Sequence, residues 1–490
     1  MLNSIKKTFE VLEKNNIAYC HWKSNEHLAA AIEGDTDLDV LFDSDNRSDL
    51  EAALSSCGLK RFRATPSMQY NGIEDYIGFD KETAKIWHLH THYKMTLGES
   101  HLKGYTVTPW AKAILDNRRR GEYGIYTSCA EDEAVLLFAR MALKYKARDA
   151  FKKISEDDRK EIKWLFERVN KDELKARSLT LIGETATKEF LRLFYASPDK
   201  RRELKKLRSL LVTTLRPFTG YSAAGSFFAR FKRELSWAAG AIKRKRGKKM
   251  LKPCRRVSPA GGCAIAFLGC DGAGKSTTID YVKHELSKKL DVVSIYLGSG
   301  DGPGSLLRTP MKLVAKKVGG KGVGHAVEKE YAEGKKVSFK AKMYSFAKVI
   351  WAMTLAREKA KKLKEITKAR NNGMIVLIDR YPQTDFAGFS DGPLLSRYLK
   401  NGKGFLYRKA VKELKIYESA KLNPPDLVIK LTVPTDVAIS RKPEMTAEEI
   451  ENKKKAVLAT NVSPRQAIID TSVDKNVSFG NVMSEIWKIV

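Results

Sequence analysis

The stretch Gly269-Cys270-Asp271-Gly272-Ala273-Gly274-Lys275-Ser276 decides how half of this chain is read. The apolar run Ala264-Ile265-Ala266-Phe267-Leu268 precedes it, and Thr277-Thr278-Ile279-Asp280-Tyr281-Val282 follows. The order is buried strand, glycine-rich turn with G-x-x-x-x-G-K-[ST] spacing, then helix. Glycines let the main chain curl until successive N–H groups point inward at anionic oxygens, and the positive end of the following helix adds to the attraction. At this spacing Lys275 reaches β and γ phosphates, and the Ser276 hydroxyl is placed to ligate Mg2+. A glycine-rich surface turn with a stray lysine is the bland alternative, and it needs neither the spacing nor the strand-to-helix setting. The residues expected around a nucleoside triphosphate are Gly269, Asp271, Gly272, Ala273, Gly274, Lys275, Ser276 and Thr277. Switches, motors and small-molecule kinases all share such a loop.

Outward from the loop, strands alternate with long helices. Val292–Leu297, Met374–Ile378 and Leu427–Leu431 read as short buried strands, the pattern of a parallel α/β sheet. Asp379-Arg380-Tyr381 ends the second of these. A carboxylate at the carboxyl end of a buried strand sits beside the phosphate loop of an open α/β sheet, where it can hold a magnesium shell or take a proton from an attacking oxygen. The adjacent Arg380 offers a fork for a second phosphate. An ion pair at a strand end is the plain alternative for Asp-Arg, and the loop upstream turns the balance.

At these residues the C-terminal half resembles the thymidylate kinase family of P-loop kinases. The resemblance covers residues 263–490 and rests on Phe267-Leu268-Gly269 with Asp271 to Thr277, on Asp379-Arg380-Tyr381, and on Pro425-Asp426-Leu427 followed by Arg441. It implies ATP and Mg2+ as cofactors, Asp271 facing the acceptor, Arg380 on an acceptor phosphate and Arg441 as a lid arginine. Two departures stand out. The family's arginine-containing acceptor loop is replaced by Gly298-Ser299-Gly300-Asp301-Gly302-Pro303-Gly304, and its serine after Asp-Arg-Tyr by Pro382-Gln383-Thr384-Asp385-Phe386.

The N-terminal third reads as α+β, then helical. A helix from about Ile5 to Asn15 and another near Glu26 to Ile32 precede Asp37-Leu38-Asp39-Val40-Leu41-Phe42, with a strand at Lys85–Tyr93 and helices from about Glu131 to Leu210. Alternate residues on a strand share a face, so Asp37 and Asp39 are candidates to meet one metal. The Asp-x-Asp element, with Trp22-Lys23-Ser24 near the place of a Gly-Ser turn, resembles the nucleotidyltransferase superfamily. That resemblance implies a third carboxylate from a later strand, whereas Ile86–His92 supplies His88, His90 and His92, with His101 nearby. A metal cluster and packed, hydrogen-bonded histidines are both open readings. The whole order, with His21-Trp22-Lys23-Ser24 and His88-Leu89-His90 ahead of a basic linker, also resembles proteins of bacterial surface-polysaccharide clusters.

The chain of 490 residues carries a formal charge of +32. That exceeds what solubility needs and points to an acidic partner: a nucleotide, an anionic glycan, a membrane face or nucleic acid. From Arg230 to Arg256 there are twelve Lys or Arg against Glu234 alone. Phe228, Phe231, Leu235, Ala238 and Ile242 recur at helical spacing, so residues 226–256 suit either an anionic membrane surface or a docked interdomain helix. No aromatic-plus-basic motif accompanies the run, so nucleic acid ranks last. Six scattered cysteines, an amphipathic helix at the start and no long apolar run point to a cytoplasmic protein, peripheral at the inner face of the membrane if the basic helix binds lipid.

The expected architecture is α/β: a nucleotidyltransferase-like domain (1–125), a helical region (126–215), a basic amphipathic helix and linker (216–260) and a thymidylate kinase-like P-loop domain (261–490). The expected activity is phosphoryl transfer from ATP to a nucleoside monophosphate, with Lys275, Asp379, Arg380 and Arg441 in the chemistry and Ser276 and Asp379 on Mg2+. The alternatives are a kinase acting on a sugar or lipid-linked glycan and a nucleotide-gated scaffold. A homodimer is carried as a further expectation.

Overall fold

The computed structural model describes residues 1–245, 250–298, 339–387 and 391–490. The chain forms two compact units: Met1–Lys248 with Cys254–Pro259, and Lys249–Pro253 with Ala260–Val490. Most of the glycine-rich stretch 298–304 and the centre of the basic run lie outside the described residues.

The C-terminal unit is built on a five-stranded parallel sheet in the spatial order Val292–Tyr296, Ile375–Asp379, Cys263–Gly269, Leu427–Thr432, Gln466–Asp470. Helices cover both faces of such a sheet, so its strands must be apolar throughout. Ile265, Ala266, Phe267, Val376, Leu377, Val428 and Ile429 are accordingly buried. The Cys263–Gly269 strand is central, and Phe267 pairs with Asp379 across the register. That pairing brings the end of the Ile375–Asp379 strand level with the start of the glycine turn. The Gln466–Asp470 strand extends the expected set at one edge.

In the N-terminal unit eight strands form one mixed sheet. Its middle runs Lys60–Ala64, Ile73–Asp80, Lys85–His92, Asp37–Phe42, Tyr19–His21, with the helices Asn3–Lys14 and Arg47–Ser56 packed on its apolar residues. Arg256–Val257, expected to be linker, instead pairs with Arg63 and Ala64 at the sheet edge. Four helices, Ala130–Lys144, Glu156–Phe166, Lys171–Ala196 and Lys205–Thr214, enclose a second core around Phe138, Phe190 and Phe194. Near Glu26 the structure has a 3-10 turn, Asn25–His27, before a short helix, Leu28–Ile32, rather than one continuous helix.

The helix Ala223–Lys245 is fastened to this unit by a Glu234 to Lys146 ion pair and by Arg233, which donates to the Gln69 carbonyl at 2.9 Å. Phe228, Phe231, Leu235 and Ile242 on it are exposed. Among the described residues, no helix is long and apolar enough to cross a membrane.

Candidate functional site

In the C-terminal unit the glycine turn has the backbone that only glycine supplies cheaply. Gly272 and Gly274 stand at φ +82° and +75°, and a Cβ on Gly272 would come within 2.8 Å of the Ala438 carbonyl oxygen. Gly274 is the N-cap of the helix Lys275–Ser287, so the helix's first amides open onto the turn. Lys275 is buried, and its Nζ donates to the carbonyls of Gly269 and Cys270 at 2.9 and 2.8 Å. Burial holds its pKa below the ordinary lysine range, and the Arg380 charge pushes the same way. Ser276 and Thr277 are exposed at the helix start.

Asp379 ends its strand with Oδ1 buried and without a hydrogen-bond partner. Burial pushes its carboxyl above the usual range, against the opposing charges of Lys275 and Arg380. An orphaned carboxylate oxygen beside a phosphate-binding turn fits a hydrated Mg2+ or an acceptor proton. Arg380 follows in the left-handed region, at φ +66°. Its guanidinium lies 3.4 Å from Asp271 Oδ1 and 3.4 Å from Asp391 Oδ2. Asp271 is also paired with Lys453. Burial works to raise its carboxyl, but the Lys453 bond, with the Lys275 and Arg380 charges, holds it below the usual range.

Arg441 also contacts the loop. Its Nη1 donates to the Gly272 carbonyl at 3.0 Å and its Nη2 to the Thr471 carbonyl at 3.1 Å. Tyr381 is buried, its hydroxyl donating to the Ala420 and Asn423 carbonyls at 3.1 and 2.7 Å, so it anchors rather than reacts. Gln383, in the place of the absent serine, closes a turn through both ends of its amide with Phe386. Gly298 begins the glycine-rich stretch 298–304. A Cβ there would meet Tyr296 Oη at 2.3 Å and Arg380 Cδ at 2.6 Å. Lys453, Asp391 and Thr471 were not singled out from sequence. Their separation from the loop along the chain left no signal.

The N-terminal unit gathers a second group. Asp37 and Asp39 do share a face, but they have different partners. Asp37 pairs with His88 Nδ1 at 2.9 Å, while Asp39 Oδ1 meets Lys23 Nζ at 2.9 Å, His92 Nε2 at 3.0 Å and His90 Nδ1 at 3.1 Å. A further carboxylate, Asp75, on a strand not anticipated, lies 2.8 Å from His88 Nε2 and is held by Arg256 Nε at 2.9 Å. His101 is not part of the group and packs at a tilt against Trp237, with ring centroids 5.4 Å apart.

Five parallel strands with the glycine turn leaving the central one, and an acid ending its neighbour, define a P-loop kinase-like α/β unit. No family model matches the chain. The protein named Uncharacterized ATP-binding protein YghR of Escherichia coli K12 is 27% identical over 234 residues, which is 46% of this chain and 86% of that one. Uncharacterized ATP-binding protein YghS of the same strain is 28% identical over 193 residues, 39% of this chain and 77% of its own. Among solved structures, thymidylate kinase from Ehrlichia chaffeensis matches with a TM-score of 0.22 at 16% identity, over 47% of this chain and 98% of its own. Deoxyadenosine kinase from M. mycoides with bound dATP matches with a TM-score of 0.26 at 18% identity, over 46% and 98%.

Proposed function

We propose that the C-terminal unit transfers a phosphoryl group from ATP, with Mg2+, to an anionic acceptor, nominally a nucleoside monophosphate. The observation that carries the reading is the buried, unpartnered Oδ1 of Asp379 beside the glycine turn, electrostatically coupled to Lys275 and Arg380. Phosphoryl transfer consists mainly of alignment and neutralisation of spreading charge. Gly269, Asp271, Gly272, Ala273, Gly274, Lys275, Ser276 and Thr277 are assigned to the triphosphate, Ser276 and Asp379 to the metal. Bound Mg2+ would neutralise charge on the β and γ oxygens. Arg380 grips the acceptor phosphate, and Asp271 aims Arg380. Arg441, which braces the turn through the Gly272 carbonyl, is assigned to the transferring group. The E. coli relatives are named ATP-binding proteins, which supports ATP as the donor.

Lys275→Ala tests it. Phosphoryl transfer from ATP, measured across nucleoside monophosphates, sugars and lipid-linked glycans, is expected to disappear in a variant whose melting curve is unchanged. Undiminished transfer by that variant ends the proposal.

A second reading keeps the donor chemistry and gives the unit a sugar or lipid-linked glycan acceptor at an anionic membrane face. The exposed Phe228, Phe231, Leu235 and Ile242 on a helix followed by a cationic run favour it. Rapid formation of a deoxynucleoside diphosphate, with no labelling of glycan, would decide against it.

A further inference from the structure

The histidine strand carries a device that phosphoryl transfer does not use. Asp37–Phe42 lies parallel to Lys85–His92, with Asp39 opposite His90, and Ile73–Asp80 lies antiparallel on the other side, with Asp75 opposite His90. Because strand residues alternate between faces, His88, His90 and His92 form a row flanked by carboxylates. The residues all belong to the N-terminal unit.

We infer that Asp39, His90 and His92 form a centre for one divalent transition-metal ion. Each offers a ligand atom, and the three atoms lie within 4.8 Å of one another. The two imidazole nitrogens stand 3.0 and 3.1 Å from the same Asp39 oxygen. Ligand atoms of a tetrahedral centre with bonds of ~2.0–2.1 Å stand about 3.3 Å apart, so the group needs little movement to close on an ion. With Lys23, three nitrogens crowd one oxygen that has two lone pairs. The Lys23 ammonium shows that the spot favours positive charge, and it lies on a side chain long enough to swing aside. His92 is fully buried, with Nδ1 lacking a partner, and its ring is pinned edge-on to Trp22 at 5.2 Å.

Two imidazoles and one carboxylate suit Zn2+, Mn2+, Fe2+, Co2+ or Ni2+, and not the all-oxygen shells of Ca2+ or Mg2+. The outer shell is present as well. Asp75 Oδ1 lies 3.7 Å from His90 Nε2 and is fixed by His88 and Arg256. Three protein ligands leave a position open, the arrangement of a centre that presents water or substrate rather than a purely structural one. This set differs from the three-carboxylate site that the nucleotidyltransferase resemblance implies.

The test uses the full chain, stripped with chelator and titrated with Zn2+ by calorimetry and with Co2+ by visible absorption. One equivalent of metal per chain is expected, with a rise in melting temperature. His90→Gln and Asp39→Asn should each weaken binding at least ~100-fold, and His101→Ala should not change it. Absence of a bound equivalent of both Zn2+ and Co2+, or full binding in the folded His90→Gln variant, overturns the inference. Should that variant not fold, the chelated protein with its native residues still decides, since an unchanged melting temperature with both metals overturns it equally.

Discussion

Arg380 places its guanidinium 3.4 Å from the Asp271 carboxylate, joining the strand-end motif to the phosphate loop. An arginine at φ +66° pays about 1–2 kcal/mol in backbone strain that glycine would not. The residue is therefore held there for its side chain. Arg380→Gly is expected to leave the melting temperature within a few degrees of the parent, since relieved strain offsets lost ion pairs. Phosphoryl transfer should fall about 100- to 1,000-fold in kcat/KM, the usual loss of one donor to a developing charge. A large drop in melting temperature with activity retained would show that Arg380 is structural.

On the proposed assignment, Gly272 belongs to the donor side and Gly298 to the acceptor side. A methyl at Gly298 collides with Tyr296 and Arg380, whereas one at Gly272 collides with the Ala438 main chain at a positive φ. Gly298→Ala should raise the acceptor KM with ATP affinity kept. Gly272→Ala should abolish ATP binding, since amides displaced by a fraction of an ångström no longer converge on phosphate. Titration with a fluorescent ATP analogue and acceptor kinetics read the two effects. Equal loss of ATP affinity in both variants would refute the division.

What sequence made legible was local. The turn, its lysine and the strand before it lie within one short segment, and Asp379 and Arg380 mark a strand end, so spacing alone locates them. Lys453, Asp391 and Thr471 are brought in by folding, and one lysine among 90 basic residues has no contrast. The same limit applied in the N-terminal unit. Period-two spacing put Asp37 and Asp39, then His88, His90 and His92, on common faces. Asp75 became visible only when the register set it opposite His90. The Arg256–Val257 strand was concealed in a stretch whose charge suggested linker, because two edge residues carry no periodicity.

The helix Ala223–Lys245 predicts lipid dependence. Its exposed Phe228, Phe231, Leu235 and Ile242 supply apolar area, and the basic residues around it supply attraction to anionic headgroups of about 1 kcal/mol each near the surface. The protein should float with vesicles containing anionic lipid and not with neutral ones. Leu235→Asp should reduce the bound fraction ~10-fold or more, since a charge replaces apolar surface that the bilayer would bury. Equal partitioning to neutral vesicles, or no effect of Leu235→Asp, would contradict this.

Burial of Glu133 predicts a pH dependence for the stability of the N-terminal unit. It is buried, accepting from the Asn25 backbone N–H at 2.8 Å, and burial with the Glu161 charge pushes its carboxyl up to about 7. The folded state therefore holds a proton that the unfolded chain, titrating near 4.5, releases. Stability from this group is full below the unfolded value and declines as pH rises through the window between about 4.5 and 7. The loss is on the order of 3 kcal/mol from a shift of this size. Glu133→Gln cannot titrate, so the difference between parent and variant stability should narrow or reverse steadily from pH 5 to pH 7. Chemical denaturation at several pH values measures that difference. A difference that stays constant over the window would mean that Glu133 is already ionised in the fold.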